Sequence, residues 1–385
     1  MTREFTWGCL LASVMSFASI SSELPAQSSA TTTTPGKATM VTTDPGRVTI
    51  HQDKFGKSVR DAKGNLLRGP SLGLYKYARQ IKLSDYIYDD SYWKLLQENG
   101  FNAVRAVFFD PWQRSHGHAG TNKPFPFADL KSVDDVRAML KEFDHVVDTA
   151  AAHDMYVLIN YHDTGGYTDP KYDQVADEEN EFTRGKKMYY LRLFWKFMAK
   201  RYADRTHVFY ELTNEPVKWT AEEYTNRNLA DFKKLYDQVR KDAPKTHMVL
   251  LTFANHASFK GEIHMVDIAR KMKNLGVSFE NESVGYHPYN AFHPKPNPGK
   301  NILALKREFP IINTEQNFPK GMAESSNDTD ASGLDGDKFG VQSNEKYGIS
   351  WFHWQCDNPK RVRENFMRNV IPDAREKGYY WVEQR

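Results

Sequence analysis

Two stretches of this chain run apolar and then end in a glutamate. Val208-Phe209-Tyr210-Glu211-Leu212-Thr213-Asn214-Glu215-Pro216 is one, and Phe309-Pro310-Ile311-Ile312-Asn313-Thr314-Glu315 is the other. Each has the length and composition of a strand buried on both faces. Pro216 cannot donate to a ladder, so the first strand stops there and leaves Glu215 at its carboxyl end. A single glutamate at a strand end is ordinarily a solvated loop residue. A pair on one rim is the equipment of glycoside hydrolysis, in which one carboxylic acid protonates the leaving oxygen while a second carboxylate attacks or assists from the other face. Such an acid must keep its proton and its partner must stay ionised, so their surroundings must differ.

The elements that would position the pair alternate along the chain. Strands are expected near Leu66–Gly73, Phe101–Phe109, Met155–Tyr161, the Asn-Glu-Pro stretch, Met248–Phe253, Val277–His287, the second Glu stretch and Gly348–Trp354. Helical spacing appears between them. Its clearest case is Ser132–Ala152, where Val136, Met139, Leu140, Phe143, Val146, Val147 and Ala150 form one stripe and Ser132 with Asp135 resembles a capping box. Shorter helices are expected over Tyr92–Gln97, Ile263–Met272, Ile302–Arg307 and Val362–Lys377, and amphipathic ones around Leu191–Tyr202 and Leu229–Val239. Eight strands alternating with helices predict parallel pairing through right-handed crossovers, and an α/β fold of the (β/α)8 TIM-barrel type. The rival is an open doubly wound sheet, but no Gly-rich phosphate loop follows the first strand.

In such a barrel the carboxyl ends of the strands share one pocket. Arg105 lies within the second strand and needs a buried anionic partner, which the paired carboxylates would supply. His162 and Asp163 end the third strand, Asn214 and Glu215 the fourth, His287 and Tyr289 the sixth, Glu315 the seventh and Trp354 the eighth. Arg105 and Tyr289 could keep Glu315 ionised. Asn214 could bond a sugar 2-hydroxyl, His162 and His287 could hold the acid, the nucleophile and sugar hydroxyls, and Trp354 offers a stacking platform.

Composition narrows the classes. The chain of 385 residues carries a formal charge of +3 and no block of Lys and Arg, so a nucleic-acid partner is not expected. Its two cysteines, Cys9 and Cys356, have no zinc-type spacing and form no disulfide framework. Residues 1–30 have the character of a secretory signal, with Arg3 ahead of an apolar tract from Trp7 to Ile20 that is too short for a comfortable membrane span. Residues 31–47 form a Ser/Thr/Pro-rich leader, and one catalytic domain is expected over 48–385. A secreted or periplasmic protein follows, monomeric by expectation, with no membrane span in the mature chain, no cofactor and no metal. Asn281-Glu282-Ser283 and Asn327-Asp328-Thr329 fit the N-glycosylation pattern.

These residues resemble glycoside hydrolase family 5, the cellulase family of the eight-fold-barrel clan with both catalytic glutamates on strands four and seven. The resemblance spans about residues 48 to 380 and rests on Arg105, His162, Asn214-Glu215-Pro216, His287-x-Tyr289, Glu315 and Trp354 in that order. It implies that Glu215 is the acid/base and Glu315 the nucleophile of a retaining mechanism with a covalent glycosyl-enzyme. It implies that Arg105, His162, Asn214, His287, Tyr289 and Trp354 bind substrate. Two departures bear on the substrate. Thr314 stands where the family often has Gly before its nucleophile, and Ala254-Asn255-His256-Ala257 lacks a Trp found there in many plain cellulases. Trp112, Trp219 and Trp351 are further stacking candidates, with core packing an equal or stronger reading for Trp351.

An endo-β-1,4-glucanase acting on an oligo- or polysaccharide leads. A β-mannanase, a xylanase or an exo-acting β-glucosidase differs from it by cleft shape, which the long loops at 110–130, 164–182 and 316–335 control. A non-catalytic sugar-binding barrel predicts the loss of one carboxylate, and both are present. A metal-dependent hydrolase would draw on His116-x-His118, His162 and Asp163, and is opposed by the paired glutamates.

Overall fold

The structure is a computed structural model. It describes residues 45–74, 87–109, 133–163, 180–217, 221–254, 264–288, 298–316 and 341–354. All of these lie in the compact unit Thr42–Arg385. The expected signal and most of the leader, the last helix, Ser132, Tyr289, Trp112, Trp219, His116, His118, both cysteines and most of the three long loops lie outside the described residues.

A hairpin comes first, β1 (Thr49–Asp53) and β2 (Gly56–Arg60). The barrel strands follow as β3 (Arg68–Gly73), β4 (Ala103–Phe109), β5 (Tyr156–His162), β6 (Val208–Glu211), β7 (Met248–Ala254), β8 (Glu282–His287), β9 (Ile311–Gln316) and β10 (Trp351–His353). Each pairs in parallel with the next, and β10 closes on β3. The helices between them are α1 (Asp90–Glu98), α2 (Val133–Ala152), α3 (Asn180–Arg201), α4 (Asn226–Asp242), α5 (Met265–Asn274), α6 (Pro298–Glu308) and α7 (Val341–Lys346). Asp89 caps α1 by accepting from the Ser91 amide, and Thr225 caps α4 by accepting from that of Asn228. The expected stripe of α2 is buried in full, each large side chain contributing about 1.5–3 kcal/mol. Among the described residues no helix is long and apolar enough to cross a membrane.

Strand alternation explains both cores. Val104, Ala106, Val157, Ile159, Val208 and Tyr210 face the helices and join one large cluster. The opposite faces point into the barrel. There, Leu67, Ala103, Leu158, Phe209, Val249, Ile312 and Phe352 form a separate apolar layer near the amino ends of the strands. Two residues further along the same faces, the chain places Arg105, Asn160 and Glu211, all fully buried. The barrel interior thus changes from apolar floor to polar mouth within one pleat repeat.

The hairpin was not expected. Val48 and Val59 join the floor layer, Ser58 of β2 pairs with Ile311, and Lys306 of α6 donates to Asp53 at 2.8 Å. The stretch Val277–His287 contains its strand as β8, and Val277–Asn281 lead into it, with Phe279 at φ 57 in the left-handed region.

Candidate active site

Arg105 is the centre of the polar mouth. Its Nε donates to Glu211 Oε2 at 2.7 Å, its Nη1 to Glu315 Oε2 at 3.0 Å and its Nη2 to Asn214 Oδ1 at 2.5 Å. Burial opposes the charge on the guanidinium, but Glu211 and Glu315 outweigh it and hold its pKa above the ordinary value. One planar fork therefore ties β4 to the ends of β6 and β9, and holds the Glu315 carboxylate and the Asn214 amide in fixed relation.

Glu211 lies within the apolar strand and is not among the expected site residues. It is fully buried and also accepts from Thr252 Oγ1 at 2.8 Å. Its signal was available, because a carboxylate inside a buried strand must have a partner. Thr252 reaches it through a shift in register: the four residues Val249 to Thr252 of β7 run against the three residues Ser283 to Gly285 of β8. Gly285 makes room for this. A Cβ there would lie 2.5 Å from Thr252 Oγ1.

Asn214 and Glu215 follow β6 in a turn held by Asp163. The Asn214 amide donates to Asp163 Oδ1 at 2.6 Å, Asn214 Nδ2 to the Asp163 carbonyl at 3.0 Å, and the Glu215 amide to that carbonyl at 3.1 Å. Glu215 Oε1 meets His287 Nδ1 at 2.6 Å, and His287 Nε2 meets Thr314 Oγ1 at 3.0 Å. On the other side, the Glu315 amide donates to Asn313 Oδ1 at 3.1 Å. Asn313 and Asn344 of α7 both donate to Gln316 Oε1, and Tyr286 donates to Asn344 Oδ1 at 2.6 Å. That buried polar chain fixes the strand end that carries Glu315.

Of the expected site residues, Arg105, His162, Asn214, Glu215, His287, Glu315 and Trp354 line one mouth, and Tyr289 lies outside the described residues. The Trp354 ring stacks on His162, with centroids 4.7 Å apart and planes 10° from parallel, and sits 6.0 Å from the Arg105 guanidinium carbon. His162 Nδ1 lies 3.2 Å from Asn160 Oδ1. One face of the expected platform is thus taken by an imidazole. Trp351 is fully buried and donates to Glu345 Oε1 at 2.8 Å, so it belongs to the core.

The donor atoms of Glu215, His287 and Glu315 lie within 4.8 Å of one another. A cation there would face the buried Arg105 guanidinium that already accompanies Glu315, so the cluster suits proton transfer and nucleophilic attack better than metal binding. The two carboxylates have unlike company: Glu315 sits against a fixed positive charge, Glu215 against an imidazole. Neither is deeply sealed, with side-chain exposures of 8% and 12%.

A closed parallel barrel with this mouth defines a glycoside hydrolase. The Cellulase (glycosyl hydrolase family 5) profile matches residues 79–359. The chain belongs to that family. Endoglucanase MaCel5A from Microbulbifer sp. (strain ALW1) is 25% identical over 224 residues, which is 57% of this chain; the chain spans 38% of that curated relative's length. The fold is shared with the native form of the β-glucanase SdGluc5_26A from Saccharophagus degradans, at 18% identity and a TM-score of 0.56 over 89% of this chain and 98% of that one. It is shared as well with the catalytic domain of Thermobifida fusca endoglucanase Cel5A, at 18% identity and a TM-score of 0.53 over 81% and 85% of the two chains.

Proposed function

We propose that this β-glycosidase of the cellulase family is a retaining endo-β-1,4-glucanase, with Glu215 as acid/base and Glu315 as nucleophile. The observation that carries the proposal is the approach of the two carboxylates, whose oxygens come within 4.8 Å. Retaining enzymes hold their carboxyls about 5–5.5 Å apart, whereas inverting enzymes leave about 6.5–9.5 Å for a water. The company of each group supports its role. Arg105 favours an ionised Glu315, ready to attack the anomeric carbon as the glycosidic bond breaks. Glu215 gives its proton to the leaving oxygen, then takes one from the water that releases the glycosyl group from Glu315. Asn214 has its Oδ1 fixed by Arg105 and keeps an Nδ2 hydrogen for the sugar 2-hydroxyl. His162, His287, Tyr289 and Trp354 complete the substrate contacts.

The β-1,4-glucan assignment draws on the relatives. The Microbulbifer enzyme is an endoglucanase, and the Saccharophagus β-glucanase has been crystallised with cellotetraose. Secretion or export to a periplasm is proposed from the apolar tract Trp7–Ile20 and the leader behind it. Amino-terminal sequencing of exported protein checks it, and an intact Met1 would count against it.

The test is a hydrolysis screen on soluble cellulose, mixed-linkage glucan, mannan, xylan and aryl β-glycosides, with Glu315→Gln as control. Cleavage of β-1,4-glucan to mixed oligosaccharides, lost in the control and giving first products of the β-anomer, is expected. Preference for mannan would reassign the substrate, release of monosaccharide would make the action exo, and α-anomeric first products would overturn retention. Sugar binding with no cleavage on any glycan would replace the enzyme by a binding barrel.

A further inference from the structure

Thr314 directly precedes Glu315 in the strand and reaches Glu215 through His287. Its hydroxyl is buried and lies 3.0 Å from His287 Nε2, whose ring in turn meets Glu215 Oε1 through Nδ1 at 2.6 Å. A regular strand would send Thr314 and Glu315 to opposite faces. Here the four residues Asn313 to Gln316 of β9 run against the three residues Trp351 to His353 of β10. The shift lets neighbouring side chains reach one pocket, Glu315 to Arg105 and Thr314 to His287.

The direction of the bond follows from burial. Among the described residues His287 Nε2 is the one hydrogen-bond partner of the Thr314 hydroxyl. A buried hydroxyl whose proton meets no acceptor is costly, so the hydroxyl donates and Nε2 accepts. A neutral imidazole then carries its proton on Nδ1, where it donates to Glu215 Oε1. We propose that Thr314 is a positioning residue that fixes the Nδ1–H tautomer of His287 and so confines the transferable proton of Glu215 to Oε2. The proposal rests on Glu215 being the acid/base. In the first half-reaction the Oε2 proton passes to the leaving oxygen. The carboxylate left behind already faces an Nδ1–H donor. In the second half-reaction the attacking water returns a proton to Oε2. The ring needs no tautomer change between them.

The test begins on the unaltered protein. Nitrogen-15 NMR of histidine-labelled protein reads both ring nitrogens, with the His287 signals assigned by their loss in His287→Gln. A protonated Nδ1 beside a bare Nε2 is expected; a protonated Nε2, alone or together with Nδ1, overturns the proposal. Thr314→Val and Thr314→Ser are then assayed on aryl β-glycosides of graded leaving-group basicity, using the sugar that the hydrolysis screen selects. Thr314→Val is expected to slow poor leaving groups about tenfold and to spare a dinitrophenyl glycoside, while Thr314→Ser restores the loss. An equal loss for every leaving group, or no recovery with Ser, would make Thr314 a packing residue. Glu215→Gln separates the two readings. A weak leaving-group dependence in that variant would refute Glu215 as the acid. A steep one, with Thr314→Val unchanged from wild type, would refute only the role of Thr314.

Discussion

Replacing Arg105 by Lys keeps the charge and removes the fork. Three nitrogens of Arg105 meet three acceptors on β6, beyond β6 and on β9, at 2.7, 2.5 and 3.0 Å. A single ammonium cannot reach all three with those geometries. Hydrogen bonds to charged groups contribute about 1.5–3 kcal/mol each, so losing one or two of them from the ground that holds Glu315 and Asn214 costs about 3 kcal/mol. Expressed in the transition state, that is about a hundredfold in kcat/KM. Arg105→Met goes further, because Glu211 and Glu315 then face each other with no counter-charge and cannot both stay ionised. The acid limb of the pH–rate profile, which reports an ionised Glu315, moves to higher pH in that variant. The assay is kcat/KM against pH on an aryl β-glycoside, with thermal unfolding alongside to separate misfolding from mispositioning. A folded Arg105→Lys within about threefold of wild type, or an Arg105→Met acid limb that does not move, would refute the argument that this fork organises the nucleophile.

Glu211→Gln removes the rival claim on Arg105, so the guanidinium binds Glu315 more tightly. The acid limb is expected to shift to lower pH and kcat to fall about tenfold, the opposite shift to Arg105→Met on the same assay. Burial holds the imidazoles of His247 and His353 down at about 4 and about 3, well below the unfolded value of 6.5. The unfolded chain therefore binds more protons below that value, and stability present above pH 6.5 is lost as pH falls toward the folded values, by about 3 kcal/mol per histidine at pH 4.5. Urea unfolding at pH 7 and 4.5 checks this, and His247→Gln should halve the histidine part of the loss; an unchanged pH dependence would contradict it. Gly285→Ala drives a methyl into Thr252 and should cost about 1–3 kcal/mol in the same unfolding assay, with a loss below the error of the method counting against the packing argument.

The barrel was legible because a strand inside it must be apolar along its length and can turn polar only at the mouth. Val104-Arg105-Ala106-Val107 and the Asn-Glu-Pro stretch show that pattern openly. The hairpin did not, because Thr49–Asp53 and Gly56–Arg60 carry polar residues on a largely exposed first strand, and only Val48 and Val59 betray the floor they cover. Glu211 was visible yet absorbed into the apolar run around it. What no composition could reveal are the two register shifts, in β7 and β9. A shift of one residue changes which face a side chain takes without changing any residue type. Thr252 and Thr314 gain their places by those shifts: the first holds Glu211 behind Arg105, and the second touches the imidazole that touches Glu215. From the sequence, Thr314 was only a departure from a common glycine. In the fold it is the residue that a glycine could not replace without leaving His287 Nε2 to find another donor.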